Sequence, residues 1–165
     1  MGQLAELFYE NPGKEFYLRQ VARLTKTPKT TASGKLKELV KQGIVIRKKD
    51  EPYDKYVAAT ENMLYKVYKK HFLIEKIYSS GLIQALAESI YPKAIVLFGS
   101  VAKGEYDKES DIDLYIMANE KEVNLGKFER ALNHRVNLFF EPDFRKLSEE
   151  LRNNIINGIP LYGRL

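Results

Sequence analysis

Cysteine and tryptophan are absent from the 165 residues, and histidine occurs only twice. Without cysteine there are no disulfides, no thiolate zinc sites and no cysteine nucleophiles, a usage that fits a reducing cytoplasm. His71 and His134 lie far apart in the chain, which argues against a histidine metal cluster. No apolar run approaches the roughly 20 residues that a membrane span needs. The opening stretch, MGQLAELFYENPGKEF, carries acids inside its apolar part and reads poorly as a secretory signal. The expected location is therefore cytoplasmic, with no membrane partner. Hydrophobic residues at 44% and charged residues at 30% describe a globular chain, long enough for one or two small domains.

Charge is unevenly distributed. Residues 1–71 hold 15 Lys/Arg against 8 Asp/Glu, a net of +7, whereas residues 72–165 hold 12 against 14, a net of −2. A basic front half suits a polyanionic partner, and an acidic back half suits a domain that collects metal ions.

Hydrophobic periodicity divides the chain in the same place. Leu4, Leu7 and Phe8 recur at helical spacing until Asn11-Pro12-Gly13 interrupts them. A short helix is predicted over Leu18 to Leu24, then a turn, then a helix with Thr27 as N-cap, Pro28 at its first position and Leu36, Leu39 and Val40 inward. Gly43 suits its C-terminal end. Ile44-Val45-Ile46 and Tyr56-Val57-Ala58 read as strands flanking a charged loop. From about Thr60 to Tyr91 the pattern is helical, broken near Ser79-Ser80-Gly81. Ala94 to Phe98 is a continuous apolar strand, buried on both faces. Further strands are expected at 111–117, Arg135 to Phe140 and Ile159 to Tyr162, with helices at 125–133 and Leu147 to Ile156. The predicted fold class is α+β, with domains at 1–60 and 80–165 joined by a linker helix at 61–79.

The stretch LFGSVAKGEYDKESDIDLYI, residues 97 to 116, carries the chemistry. A buried strand ends at Phe98, and Gly99-Ser100 opens a turn into a short helix, where backbone N–H groups can cradle phosphate oxygens. The Ser100 hydroxyl adds a donor. Eleven residues after Ser100, Asp111 and Asp113 alternate with Ile112 and Leu114, so both carboxylates project from one strand face, roughly 6–7 Å apart along the backbone. Two such carboxylates repel unless a cation lies between them, and Mg²⁺ that also holds phosphate oxygens is the natural occupant. A P-loop is excluded, because Glu105 follows Gly104 where that motif requires lysine.

This stretch resembles the minimal nucleotidyltransferases of the polymerase-beta superfamily, whose pattern runs Gly-Ser, about ten residues, then Asp-x-Asp. Gly99, Ser100, Ala102, Gly104, Ser110, Asp111, Asp113 and Leu114 fit it, with Lys103 where many members have arginine. The likeness extends over about residues 80–165. It implies a small mixed-sheet domain flanked by helices, a nucleoside triphosphate bound at Gly99, Ser100 and Lys103, and Mg²⁺ on Asp111 and Asp113. Transfer of a nucleoside monophosphate would release pyrophosphate. Such domains usually place a third carboxylate on the next strand. Here Arg135-Val136-Asn137-Leu138-Phe139 puts Asn137 there, and an amide carries no charge and takes no proton from an attacking hydroxyl. Glu141 and Asp143 are the nearest acids that could compensate.

In the front half, Leu18-x-x-Val21-Ala22, Thr31-Ala32-Ser33-x-x-Leu36-x-x-Leu39 and Gly43-Ile44-Val45 resemble a winged helix-turn-helix of bacterial and archaeal regulators. The resemblance implies a helix entering the major groove of DNA with Lys29, Thr30, Ser33 and Lys37 on its exposed face. Arg47, Lys48, Lys49 and Lys55 in the hairpin would reach the flanking backbone or the minor groove. Three functions follow. The first is a DNA-binding protein, expected as a homodimer, that binds a nucleoside triphosphate with Mg²⁺ as sensor or weak transferase. The second is a true nucleotidyltransferase that modifies a protein or small molecule, as in the antitoxin type that adenylylates a toxin-like partner protein. The third is a regulator whose transferase domain is inactive.

Overall fold

The computed structural model describes residues 2–165, with side chains from Leu4 onward. The chain divides into two compact units, Met1–Phe72 and Leu73–Leu165.

The first unit runs α1 (Gly2–Glu10), β1 (Phe16–Tyr17), α2 (Leu18–Leu24), α3 (Lys29–Lys41), β2 (Val45–Lys48) and β3 (Lys55–Ala58). It also takes in the front of α4 (Met63–Ser79), inside which the division between the units falls. The strands form an antiparallel sheet in the order β1-β3-β2. Phe8, Phe16, Val21, Ala32, Leu36, Leu39 and Val45 are all buried. Full burial of each of the larger side chains contributes about 1.5–3 kcal/mol. Phe8 and Phe16 meet edge to face at 5.6 Å between centroids. Tyr65, at the start of α4, is buried too, and its hydroxyl donates to the Phe8 carbonyl at 3.1 Å. That carbonyl lies at the end of α1 and faces Pro12, which has no N–H to offer, so the tyrosine supplies the missing donor.

Three local expectations are corrected. Thr27 does not cap α3: its hydroxyl donates to the Thr25 carbonyl at 3.0 Å, turning away from the helix, and Pro28 occupies the N-cap. Strand β1 was not anticipated, since two residues carry no periodicity. Helix α4 begins at Met63 rather than near Thr60, after a turn in which Asn62 Oδ1 accepts from the Leu64 amide. Gly43, at φ +73°, follows the C-cap Gln42 in the left-handed region that ends helices.

The second unit continues with α5 (Leu82–Ile90), β4 (Ala94–Phe98), α6 (Gly99–Lys103), β5 (Ile112–Ile116), α7 (Gly126–Leu132), β6 (Val136–Phe140), α8 (Glu149–Ile156) and β7 (Ile159–Gly163). Its mixed sheet has the order β6-β5-β4-β7. Only β5 and β6 run parallel; β4 is antiparallel to both of its neighbours. All five residues of β4 are buried, as its unbroken apolar run implies. On one face of the sheet Ile95, Leu97, Ile112, Leu114 and Ile116 are buried. On the other, Val96, Phe98 and Tyr115 pack with Ile155 of α8, joined by Leu147 and Leu151. Helix α8 starts two residues later than the periodicity suggested. Ser148 caps it by accepting from the Leu151 amide, and a 3-10 turn at Phe144–Lys146 takes up the preceding chain.

Candidate functional site

Register assembles the polar end of the second sheet. Phe98 pairs with Asp113 across β4 and β5, and Asp113 pairs with Asn137 across β5 and β6. Paired residues point to the same face, so these three side chains form a row. Asp111, one residue before β5, points the same way. Asn137 Nδ2 donates to Asp113 Oδ1 at 3.0 Å and to Asp111 Oδ2 at 3.2 Å. One neutral amide thus holds two half-buried carboxylates together. Two residues further along β6, the exposed ring of Phe139 meets Phe98 edge to face at 5.3 Å on the same face of the sheet.

Gly99 opens α6 at φ +74°, in the left-handed region. A Cβ there would lie 2.5 Å from Asp113 Oδ2, so the glycine is required both by its backbone and by the carboxylate beside it. Ser100 follows in the first turn of α6, half-buried, while Lys103 is exposed at the far end. The fold therefore brings together Gly99, Ser100, Asp111, Asp113 and Asn137, with Lys103 at the margin.

This combination of sheet, Gly-Ser turn and convergent carboxylates matches a recognised family: the model described as Polymerase beta, Nucleotidyltransferase covers residues 81–164. The chain belongs to the polymerase beta nucleotidyltransferase family. No curated protein matches it. Membership implies a nucleotide substrate and a nucleotidyltransferase-like function for this domain.

Within the nucleotidyltransferase domain the acids proposed as substitutes for a third carboxylate are committed elsewhere. Asp143 is held by Arg145 through a pair of hydrogen bonds, Nε to Oδ1 at 3.0 Å and Nη2 to Oδ2 at 3.1 Å. These bonds hold its carboxyl below the usual range. Glu141 accepts from the Asp143 amide at 2.9 Å. It also lies four residues beyond Asn137, about 13 Å along an extended strand. Among the described residues no group of three or more His, Asp or Glu is arranged to hold a metal ion. Tyr115, its hydroxyl donating to the Glu141 carbonyl at 2.8 Å, has its pKa raised, first by burial.

Sequence reasoning missed His134. It is 5% exposed, with Nδ1 2.7 Å from the Ser110 carbonyl and its ring edge-on to Tyr106. It fixes the loop that leads into Asp111. The signal was faint, because a lone histidine at a strand start has no characteristic spacing.

In the first unit, Lys29, Thr30 and Lys37 are exposed on α3 and Ser33 is partly covered. Lys29, Ser33, Lys37 and Arg47 line a groove of about 500 Å³ together with Tyr53 and Tyr56. Arg47 is ion-paired to Asp54, and Lys48 to Glu15 at 2.6 Å. Lys49 is exposed. Among the described residues, no helix is long and apolar enough to cross a membrane.

Proposed function

We propose that the protein binds DNA through its first unit and a nucleoside triphosphate with Mg²⁺ through its second, transferring the nucleoside monophosphate slowly. The observation that carries the nucleotide half is the Asn137 amide clasped between Asp111 and Asp113 beside Gly99. Two carboxylates with room for phosphate oxygens suit Mg²⁺, which takes one or two protein carboxylates and fills its octahedron from phosphate and water. A half-turn of the Asn137 amide would present Oδ1 in place of the donor, so the residue can accommodate such an ion as a weak neutral ligand. A bound Mg²⁺ supplies charge neutralisation at the phosphates.

The chain's own groups do the rest. The turn at Gly99 and Ser100 offers backbone N–H groups and a hydroxyl to the triphosphate, and Lys103 a cation near its outer end. In transfer, an acceptor oxygen bonds to the α-phosphorus while the bond to the bridging oxygen breaks and pyrophosphate leaves with the electron pair. Asn137 cannot take the hydroxyl proton, which must pass to water, and this is the physical reason for slow turnover.

The order α1-β1-α2-α3-β2-β3 and the basic face of α3 support the reading of residues 1–60 as a winged helix. Lys29, Thr30, Ser33 and Lys37 would enter the major groove. Arg47 and Lys48 would exchange Asp54 and Glu15 for phosphates, and Lys49 would add a further backbone contact. Dimerisation would present two such helices to paired half-sites.

Calorimetry with ATP, GTP, CTP and UTP, with and without Mg²⁺, tests the nucleotide half. Magnesium-dependent binding that disappears in an Asp111→Ala/Asp113→Ala variant is expected. No binding of any triphosphate would leave a regulator with an inactive transferase domain.

A further inference from the structure

A groove of about 730 Å³ opens beside the row of acids, with Asp111 in its wall. It runs from Ser110 past His134 and Arg135 to Arg130 of α7. We infer that this groove holds a phosphate group of the acceptor, and that the acceptor is a small phosphorylated hydroxyl compound. The inference rests on the nucleotide reading above and adds to it the class of second substrate.

Position is the first reason. Strand β5 lies between β4 and β6. Asp113 faces Gly99 on the β4 side, whereas the groove opens from Asp111 toward β6 and α7. Attacking and leaving oxygens lie roughly in line in phosphoryl transfer. With pyrophosphate departing on the Gly99–Ser100 side, the incoming hydroxyl must arrive from the opposite flank, where this groove lies.

Charge is the second reason. Six acidic and basic side chains line the groove besides Asp111, and four of them already have partners: His134 is held at the Ser110 carbonyl. Glu129 accepts from the Val136 amide at 3.0 Å, and Lys108 pairs with Glu109 at 3.2 Å. Arg130 and Arg135 remain, and among the described residues neither guanidinium has an ion-pair partner. Two unpaired guanidinium groups over one groove match a phosphate, which each can bind through paired N–H donors.

The walls are also held in place. The Arg135 carbonyl accepts from the Ile112 amide at 2.8 Å, tying the start of β6 to β5. Buried His134 anchors Ser110 from the same turn. The volume falls within the range of small-molecule sites, about 300–1,000 Å³.

The experiment uses the full chain with ¹⁵N-labelled arginine and histidine, titrated with glycerol 3-phosphate and, as a control, glycerol. The Nε–H signals of Arg130 and Arg135 and the ring signals of His134 should move with glycerol 3-phosphate alone, while His71 stays fixed. An Arg130→Gln/Arg135→Gln variant should weaken this binding by about a hundredfold or more, the loss of two charge-assisted contacts. Its affinity for ATP with Mg²⁺ should stay unchanged, which also reports that it is folded. Silence at the two arginines, or unaltered binding by the variant, overturns the inference and leaves the nucleotide reading standing. A response to a short oligonucleotide with none to glycerol 3-phosphate overturns it as well. If wild-type protein binds no triphosphate, the nucleotide reading falls, and the acceptor role falls with it.

Discussion

Replacing Asn137 by aspartate tests the organisation of the site most directly. In the folded protein Asn137 Nδ2 donates to both Asp111 and Asp113, at 3.2 and 3.0 Å. A hydrogen bond to a charged group contributes about 1.5–3 kcal/mol, and the half-buried position calls for the lower end of that range. Losing both bonds removes about 3 kcal/mol. The new carboxylate adds repulsion of the same order, about 4 kcal/mol per pair at 4 Å and an effective dielectric of 20. Rotation of the new side chain toward solvent relieves much of this. A net destabilisation of about 2–4 kcal/mol is expected for Asn137→Asp in EDTA at neutral pH. For a unit of this size that lowers the melting temperature by roughly 10–20 °C. Magnesium should restore most of the loss, since three carboxylates bind a cation far better than two bridged by an amide, and binding at 100 times Kd contributes about 2.7 kcal/mol. Wild-type protein should respond little to magnesium alone. Thermal unfolding in EDTA and in millimolar MgCl₂ reads all of this. A variant as stable as wild type in EDTA, with no gain from magnesium, would refute the reasoning. A variant that gains the expected metal response should also transfer nucleotide faster.

Other perturbations have equally definite outcomes. Gly99→Ala places a Cβ 2.5 Å from Asp113 Oδ2 at a backbone of φ +74°. It should cost about 1–2 kcal/mol in denaturant unfolding, and by displacing Asp113 it should abolish triphosphate binding in calorimetry. Tyr65→Phe leaves the Phe8 carbonyl without its buried donor and should cost about 1–3 kcal/mol in the same assay. Lys29→Ala and Lys37→Ala should each weaken duplex binding and lower the salt slope by about one unit, read by fluorescence anisotropy across salt concentrations; unchanged slopes would remove α3 from the interface. Acid should loosen the hairpin of β2 and β3. Lys48 lowers the pKa of Glu15, and Lys55 lowers that of Asp50, each chiefly by a hydrogen bond. A depressed carboxyl stabilises the fold above its unfolded value and loses that contribution as pH falls through the folded one. Amide signals of Arg47 and Tyr56 should therefore change below about pH 4, and Glu15→Gln with Asp50→Asn should flatten the change.

Much of the second unit was legible because its signals are local. The apolar run of β4 states burial on both faces, and the alternation of Asp111, Ile112, Asp113 and Leu114 states which side chains share a face. Gly99-Ser100 marks a turn that few other pairs could make. Helix α2 was read with its observed limits, Leu18–Leu24, because apolar spacing and the following turn bound it on both sides. Boundaries set by a single hydrogen bond were not legible. Thr27 faces two possible acceptors or donors of similar strength, and only the fold of the turn directs its hydroxyl to Thr25.

Local sequence sets the order of helices and strands, the facing of the two aspartates and the separation of positive from negative halves. Each of these depends on residues within a few positions of one another, where covalent geometry sets the direction of every side chain. Tertiary contacts decide that the Asn137 amide bonds to both Asp111 and Asp113, that Glu141 and Asp143 are bound elsewhere, and that Arg130, His134 and Arg135 surround one groove. Asn137 and Asp113 are 24 residues apart, and their contact exists only because β5 and β6 pair in one register. A slip of one residue would turn Asn137 to the other face and expose Val136, so the apolar pattern opposes it; a slip of two keeps both faces, and only the pairing of β5 with β6 selects among those registers.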